Sequence, residues 1–225
     1  MQFVQREHSS EPITADTIEL FSRYYEEQLT YKSEILDQLL KCPQGTRYLE
    51  VQAALGNASF EMLNRNRQID ITMQEDSELC VAYMQHRIES TELAGRCTLL
   101  SCTATDMPFC DESFDLIFSI NALRTWEDPH AVISEIVRLL APGGMALIND
   151  LRRDLLEPFA EYRIRELQGL DYGDWMIRNF VKSWRGSYSM AEVVPILHDF
   201  HSVAWKVKED GPMAMSIELV KEMRL

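Results

Sequence analysis

Polar residues gathered where apolar runs end are the ones that could do chemistry in this sequence. The run Asn149-Asp150-Leu151-Arg152-Arg153-Asp154 follows an apolar stretch directly, which suits a ligand-facing edge. Its plainer reading is a solvated helix start with an Asp cap and internal ion pairs. Asn121, Arg124, Thr125 and Trp126 follow a second apolar run, Phe114 to Ser119, and form a companion group on the substrate side. Histidines add little. His130 follows Pro129 at a helix start, as a surface or capping residue does, and His198 and His201 flank Asp199-Phe200 without the carboxylate or cysteine spacing a metal needs. Arg178, Lys182, Trp184, Arg185 and Tyr188 form a basic and aromatic group that suits an anionic ligand, or the polar face of a covering helix. The cysteines (Cys42, Cys80, Cys97, Cys102 and Cys110) are odd in number and lack a C-x-x-C pair, so reduced thiols are expected rather than a disulfide or metal framework.

Elements that could position these residues follow from periodicity. Ile13, Thr17, Leu20, Phe21, Tyr24 and Tyr25 recur on one helical face after Pro12 and Thr14, and a second helix carries Ile35, Leu36, Leu39 and Leu40 before Pro43. From Tyr48 onward strands and helices alternate: strands at Tyr48–Val51, Ile69–Met73, Cys97–Ser101, Phe114–Ser119 and Met145–Ile148, with helices between them. That order implies right-handed crossovers and a buried parallel sheet with helices on both faces. One long helical stretch is expected from Leu155 to Trp184, then a Ser189/Glu192 capping box, then two β-rich runs flanking Asp210-Gly211-Pro212 as an antiparallel hairpin. A single domain over 1–225 is expected, with 1–44 as a helical lid or interface and 45–225 as a Rossmann-like α/β core, a doubly wound seven-stranded sheet closed by the hairpin.

Composition narrows the partners. With 225 residues, 46% hydrophobic and 26% charged, the chain has material for one sizeable α/β core. A net charge of −14 disfavours non-specific nucleic-acid binding and docking on an anionic membrane. No run approaches the roughly 18 apolar residues of a bilayer span, and Met1 to Ser10 is polar, so a cytoplasmic location is expected. A small molecule or a protein partner remains, with an oligomer open.

Two segments resemble the class I S-adenosylmethionine-dependent methyltransferases. One is Asp106-Met107-Pro108-Phe109-Cys110-Asp111-Glu112-Ser113-Phe114-Asp115-Leu116-Ile117-Phe118-Ser119, similar to the family's loop and fourth strand. The other is Trp126-Glu127-Asp128-Pro129, then Ile136 through the Pro142-Gly143-Gly144 turn to Ile148, similar to its helix, turn and fifth strand. The resemblance covers roughly Tyr48 to Arg153, and its motifs are mainly structural. It implies a cofactor across the carboxyl ends of the strands, held by three elements. The first is an acidic residue followed by alternating glycines. Here Glu50 and Gly56 are kept, while Gln52 and Ala54 replace the first two glycines, and a Gln52 side chain would project toward the cofactor's amino-acid end. The second is an acid ending strand two that accepts from the ribose hydroxyls. Asp70 could serve if the strand is short, but counting from Gly56 and back from Ala82 favours Met73. The third is an acid after strand three for the adenine, where Thr103 stands.

The expectation is therefore a methyltransferase-like protein with a rewritten S-adenosylmethionine pocket, a pseudoenzyme acting as a non-catalytic partner subunit in a complex with a competent relative, or as a ligand-binding module. The alternative is an active methyltransferase on a small molecule. A third reading reuses the pocket without methyl transfer. Cofactor-side candidates are Glu50, Gln52, Gly56, Asp70, Met73, Thr103 and Asn121; substrate-side candidates are Arg124, Trp126, Asp150 and Arg152. No metal is expected.

Overall fold

A computed structural model describes residues 13–29, 33–41, 45–154, 157–170 and 172–223; the N-terminal ten residues, Pro12, Tyr31, Cys42, Pro43 and Leu155 lie outside them. Seven strands form one sheet in the order β3-β2-β1-β4-β5-β7-β6. They are β1 (Arg47–Val51), β2 (Asp70–Glu75), β3 (Cys97–Ser101), β4 (Phe114–Ile120), β5 (Leu140–Leu151), β6 (Val203–Asp210) and β7 (Ala214–Lys221). The first five run parallel, and β7 is antiparallel between β5 and β6. Among the described residues eight α-helices accompany them: α1 (Ile18–Leu29), α2 (Ser33–Leu40), α3 (Asn57–Arg65), α4 (Glu78–Glu89), α5 (Pro129–Leu139), α6 (Glu157–Gly169), α7 (Gly173–Gly186) and α8 (Met190–Leu197).

Strand periodicity builds two cores. Leu116 and Phe118 of β4 face α2, α3 and α4 on one side, together with Tyr48 and Met73. Ile117, between them, faces α5 and α8 on the other, with Leu49 and Ile148. Successive side chains point to opposite faces, so continuous apolar runs are needed where both faces are covered. Helix starts are fixed locally: the Asp128 carboxylate accepts from the Ala131 N–H at 3.0 Å with Pro129 in the first turn, and Ser189 and Glu192 form the expected capping box.

Two expectations change. The covering stretch is two helices, α6 and α7, because the chain turns at Gly173, whose φ of 68° suits glycine. The fifth strand starts directly after α5 and runs to Leu151, with a register shift opposite Phe114 to Leu116. The Pro142-Gly143-Gly144 segment lies in that shift, and a Cβ on Gly144 would stand 2.8 Å from the Ala141 carbonyl oxygen.

Several motif residues hold the frame together rather than facing a ligand. Asp115 accepts from the Thr46 and Arg47 backbone N–H groups, each at 3.1 Å, and pairs with the Arg47 guanidinium, tying β4 to the start of β1. Arg138 and Glu135 of α5 clasp the Met107-to-Asp111 loop, Arg138 through the Met107 and Phe109 carbonyls and Glu135 through the Met107 N–H. None of the helices among the described residues is long and apolar enough to cross a membrane.

Candidate active site

Strand order reverses between β1 and β4, opening a crevice at their carboxyl ends where ligands bind in such sheets. The loop from β1 to α3 forms one wall. Gln52 and Ala54 both take left-handed φ angles, 52° and 51°, so the chain keeps a glycine-type path without the first two glycines. Each such residue costs roughly 1–2 kcal/mol, and β2 supplies the bonds that hold it. The Gln52 N–H donates to the Gln74 side chain at 2.9 Å, the Ala53 N–H to the Gln74 carbonyl at 3.0 Å, and the Ala54 N–H to the Glu75 carboxylate at 2.7 Å. Gly56, at φ 69°, closes the turn, and a Cβ there would come 2.9 Å from Met73 Sδ.

Glu75 therefore ends β2 at the mouth of the crevice, 5% exposed, and its other oxygen accepts from the Asp76 and Ser77 N–H groups at 3.0 Å. Burial pushes its pKa up to about 7, against the pull of the N–H groups it accepts from. This corrects both sequence candidates. Asp70 opens β2 opposite Arg47 and is exposed; Met73 lies mid-strand opposite Glu50, fully buried beneath Gly56. The strand runs on past Met73 because Gln74 and Glu75 still pair with Leu100 and Ser101 of β3. A signal was present: Glu75-Asp76-Ser77 puts acids directly before the serine that caps α4.

Two adjacent cavities occupy the crevice. The first, about 300 Å³, is lined by Glu50, Gln52, Ala54, Glu75, Cys80 and Phe21 among others. Glu50 is buried and accepts from the Ser59 hydroxyl. Gln52 lines this cavity, but its carboxamide oxygen accepts from the Thr125 hydroxyl at 3.2 Å, so the side chain leans across the mouth. The second cavity, about 470 Å³, lies between α1, α6, α7 and the β6–β7 turn. Tyr25, Asn121, Arg124 and Asn179 line both and mark where they meet. The Asn121 side-chain amide donates to the Tyr25 hydroxyl at 3.2 Å, and its backbone takes a φ of 61°. Arg124 is fixed on Asp150, which accepts from its backbone N–H at 2.9 Å and from its guanidinium. Burial raises the Tyr25 pKa.

The remaining candidates fall elsewhere. Thr103 is exposed beyond β3 and lines neither cavity; the neighbouring Cys102 carbonyl is taken by the Gln74 amide at 2.6 Å. Trp126 is buried in the core against α5 instead of facing a ligand. The polar run is not a helix start: Asn149 to Leu151 belong to β5, whereas Arg152 pairs with Asp154 and Glu209 outside both cavities and Arg153 pairs with Glu192. Asn149 and Leu151 face the second cavity, and Asp150 supports Arg124. Arg178, Lys182, Trp184, Arg185 and Tyr188 line neither cavity. His130 packs tilted against Phe200 and His198 meets Trp205 edge-on, and no metal-binding group occurs among the described residues.

Comparison with known proteins agrees with this fold. A methyltransferase domain model matches residues 49–148. An O-methyltransferase, rstn1, of Aspergillus nomiae is 29% identical over 68% of this chain and 64% of its own length. The ubiquinone/menaquinone biosynthesis C-methyltransferase UbiE of Geobacter sulfurreducens is 28% identical over 48% of this chain and 43% of its own. The chain thus spans less than two thirds of the length of these relatives. Among solved structures, the plantazolicin methyltransferase BamL, in complex with a triazolic desmethylPZN analog and SAH, superposes with a TM-score of 0.71 at 14% identity, covering 92% of this chain and 91% of that one.

Proposed function

We propose that this chain, which has the class I methyltransferase fold, is an S-adenosylmethionine-dependent methyltransferase acting on a small molecule, with the first cavity for the cofactor and the second for the acceptor. Glu75 is the observation that carries this reading. A buried carboxylate at the end of β2, beside the glycine-type loop, is the group that a ribose diol requires. The chain's residues fit the cofactor in two further ways. Gly56 keeps open a turn that a Cβ would crowd, and Glu50 with Glu75 gives the cavity two carboxylates for a ligand with a cationic sulfonium and ammonium. The reading as a non-catalytic partner leaned on Gln52 and Ala54 in place of glycines, on Thr103 and on a missing strand-two acid, and Glu75 removes the last of these supports.

When bound, S-adenosylmethionine supplies an electrophilic methyl on a cationic sulfur, which keeps the bonding pair as the acceptor atom takes the methyl. This chain's residues bind and align. Tyr25, with its pKa raised by burial, and Asp150, committed to Arg124, are poorly suited to remove a proton at the cavity junction. Rate enhancement then rests on holding the acceptor in line with the methyl, and the acceptor's proton leaves to solvent.

Calorimetric titration of the purified protein with S-adenosylmethionine and SAH tests the reading. Micromolar binding is expected, weakened roughly tenfold or more in Glu75→Gln, which keeps the side chain's size and loses its charge. No heat at millimolar ligand with folded protein overturns it.

A further inference from the structure

The second cavity has chemistry of its own. Its volume of about 470 Å³ lies within the roughly 300–1,000 Å³ of sites that enclose drug-sized ligands. Tyr24, Tyr25, Met176 and Phe180 supply aromatic and thioether surface. The ionic groups in its wall are already committed to protein partners. Arg163 donates to Glu166 at 3.0 Å and to the Tyr24 hydroxyl at 2.9 Å, Arg124 is held by Asp150, and Asp210 accepts from Asn149 and Ser216. Glu34 stands exposed at the rim. An anionic or cationic ligand would have to break one of these pairs, so an uncharged one is favoured.

Two wall groups stand apart. Asn179 and Ser183 lie one turn apart on α7 and are 8% and 3% exposed, yet the Asn179 carboxamide oxygen and the Ser183 hydroxyl have no hydrogen-bond partner among the described residues. A buried polar atom left unsatisfied costs roughly 1–3 kcal/mol, so such atoms persist where something else satisfies them. Asn179 lines both cavities, while Ser183 lines only the second.

We propose that the second cavity takes an uncharged, hydroxylated aromatic molecule and that Asn179 and Ser183 hold one of its hydroxyl groups. The Asn179 oxygen is an acceptor, so it selects ligands that donate. Placed at the junction, it orients the acceptor molecule toward the cofactor cavity, a role that rests on the methyltransferase reading; the binding preference does not.

Calorimetry with 2,7-dihydroxynaphthalene, 2,7-dimethoxynaphthalene and naphthalene-2,7-disulfonate tests this on the full chain, with and without SAH. The diol is expected to bind about tenfold more tightly than the dimethyl ether, which has the same ring and no donor, and the disulfonate more weakly than either. Asn179→Ala is expected to weaken the diol alone and erase the preference, whereas a merely structural loss would weaken both probes and leave their ratio unchanged. Ser183→Ala is expected to halve or better the preference while SAH binding stays as in the parent protein. Equal affinity for diol and ether, tighter binding of the disulfonate, or no diol binding at millimolar concentration overturns the proposal. SAH binding without a diol preference sinks this inference alone, and a diol preference without SAH binding sinks the cofactor reading alone.

Discussion

The carboxylate of Glu75, on β2, accepts a hydrogen bond from the backbone N–H of Ala54, on the β1–α3 loop, at 2.7 Å. One acidic side chain therefore shapes the loop and faces the cavity that the loop encloses. Ala54 holds a left-handed φ of 51° without being glycine, and the bond to Glu75 is part of what keeps it there.

Burial, acting against the pull of that bond, makes Glu75 pH-sensitive near neutrality. Its pKa is raised from about 4.5 to about 7, so the folded chain retains a proton that the unfolded chain sheds across that window. Stability contributed by Glu75 is then present at low pH and lost as pH rises toward 7. Thermal melts of the parent protein and Glu75→Gln between pH 4.5 and 8 should diverge, the parent falling relative to the variant. SAH affinity should show the opposite trend, weakening below pH 7 as the ribose acceptor becomes protonated. Parallel melting curves and pH-independent binding would both contradict this assignment.

Gln52→Gly should loosen cofactor access without unfolding the chain. Glycine relieves roughly 1–2 kcal/mol of left-handed strain and returns about 0.5–1 kcal/mol as backbone entropy, so stability should rise by no more than about 1.5 kcal/mol. Loss of the Thr125 contact clears the cavity mouth, and S-adenosylmethionine should bind several-fold more tightly. Weaker binding would identify Gln52 as a ligand contact.

Gly56→Ala should be damaging. The new Cβ would meet Met73 Sδ and a Phe60 ring carbon at 2.9 Å each, in a backbone conformation of φ 69°. Overpacking and strain together should cost about 2–4 kcal/mol. For a chain of this length that corresponds to a melting temperature lower by roughly 5–15 °C, read by scanning calorimetry.

Asp150→Asn should leave the Arg124 charge buried with a weakened partner. Asp150 is 1% exposed and accepts from the Arg124 backbone and side chain and from the Leu151 N–H at 2.7 Å. Removing one member of a buried pair costs roughly 3–5 kcal/mol. The double variant Arg124→Met/Asp150→Asn should lose less than the sum of the single losses in denaturant unfolding, because the unpaired charge is gone.

The sequence by itself determined the architecture. Apolar runs at Phe114–Ser119 and Met145–Ile148 could only be strands covered on both faces, and Pro129 after Asp128 and the Ser189/Glu192 pair mark helix starts through local hydrogen bonds. The places of Glu50 and Gly56 at either side of the β1–α3 turn were legible because that turn depends on near neighbours along the chain. The end of β2 was not. Where a strand stops is decided by pairing with β1 and β3, and that pairing carries Glu75 to the crevice while Met73 is buried and Asp70 is left at the far end. For the same reason Trp126 and Arg152, plausible from their positions after strands, turn into the core and toward Asp154 and Glu209. Asn179 had no sequence signal at all: an asparagine within an amphipathic helix becomes notable only when packing buries it, leaves its oxygen unpaired, and sets it between two cavities.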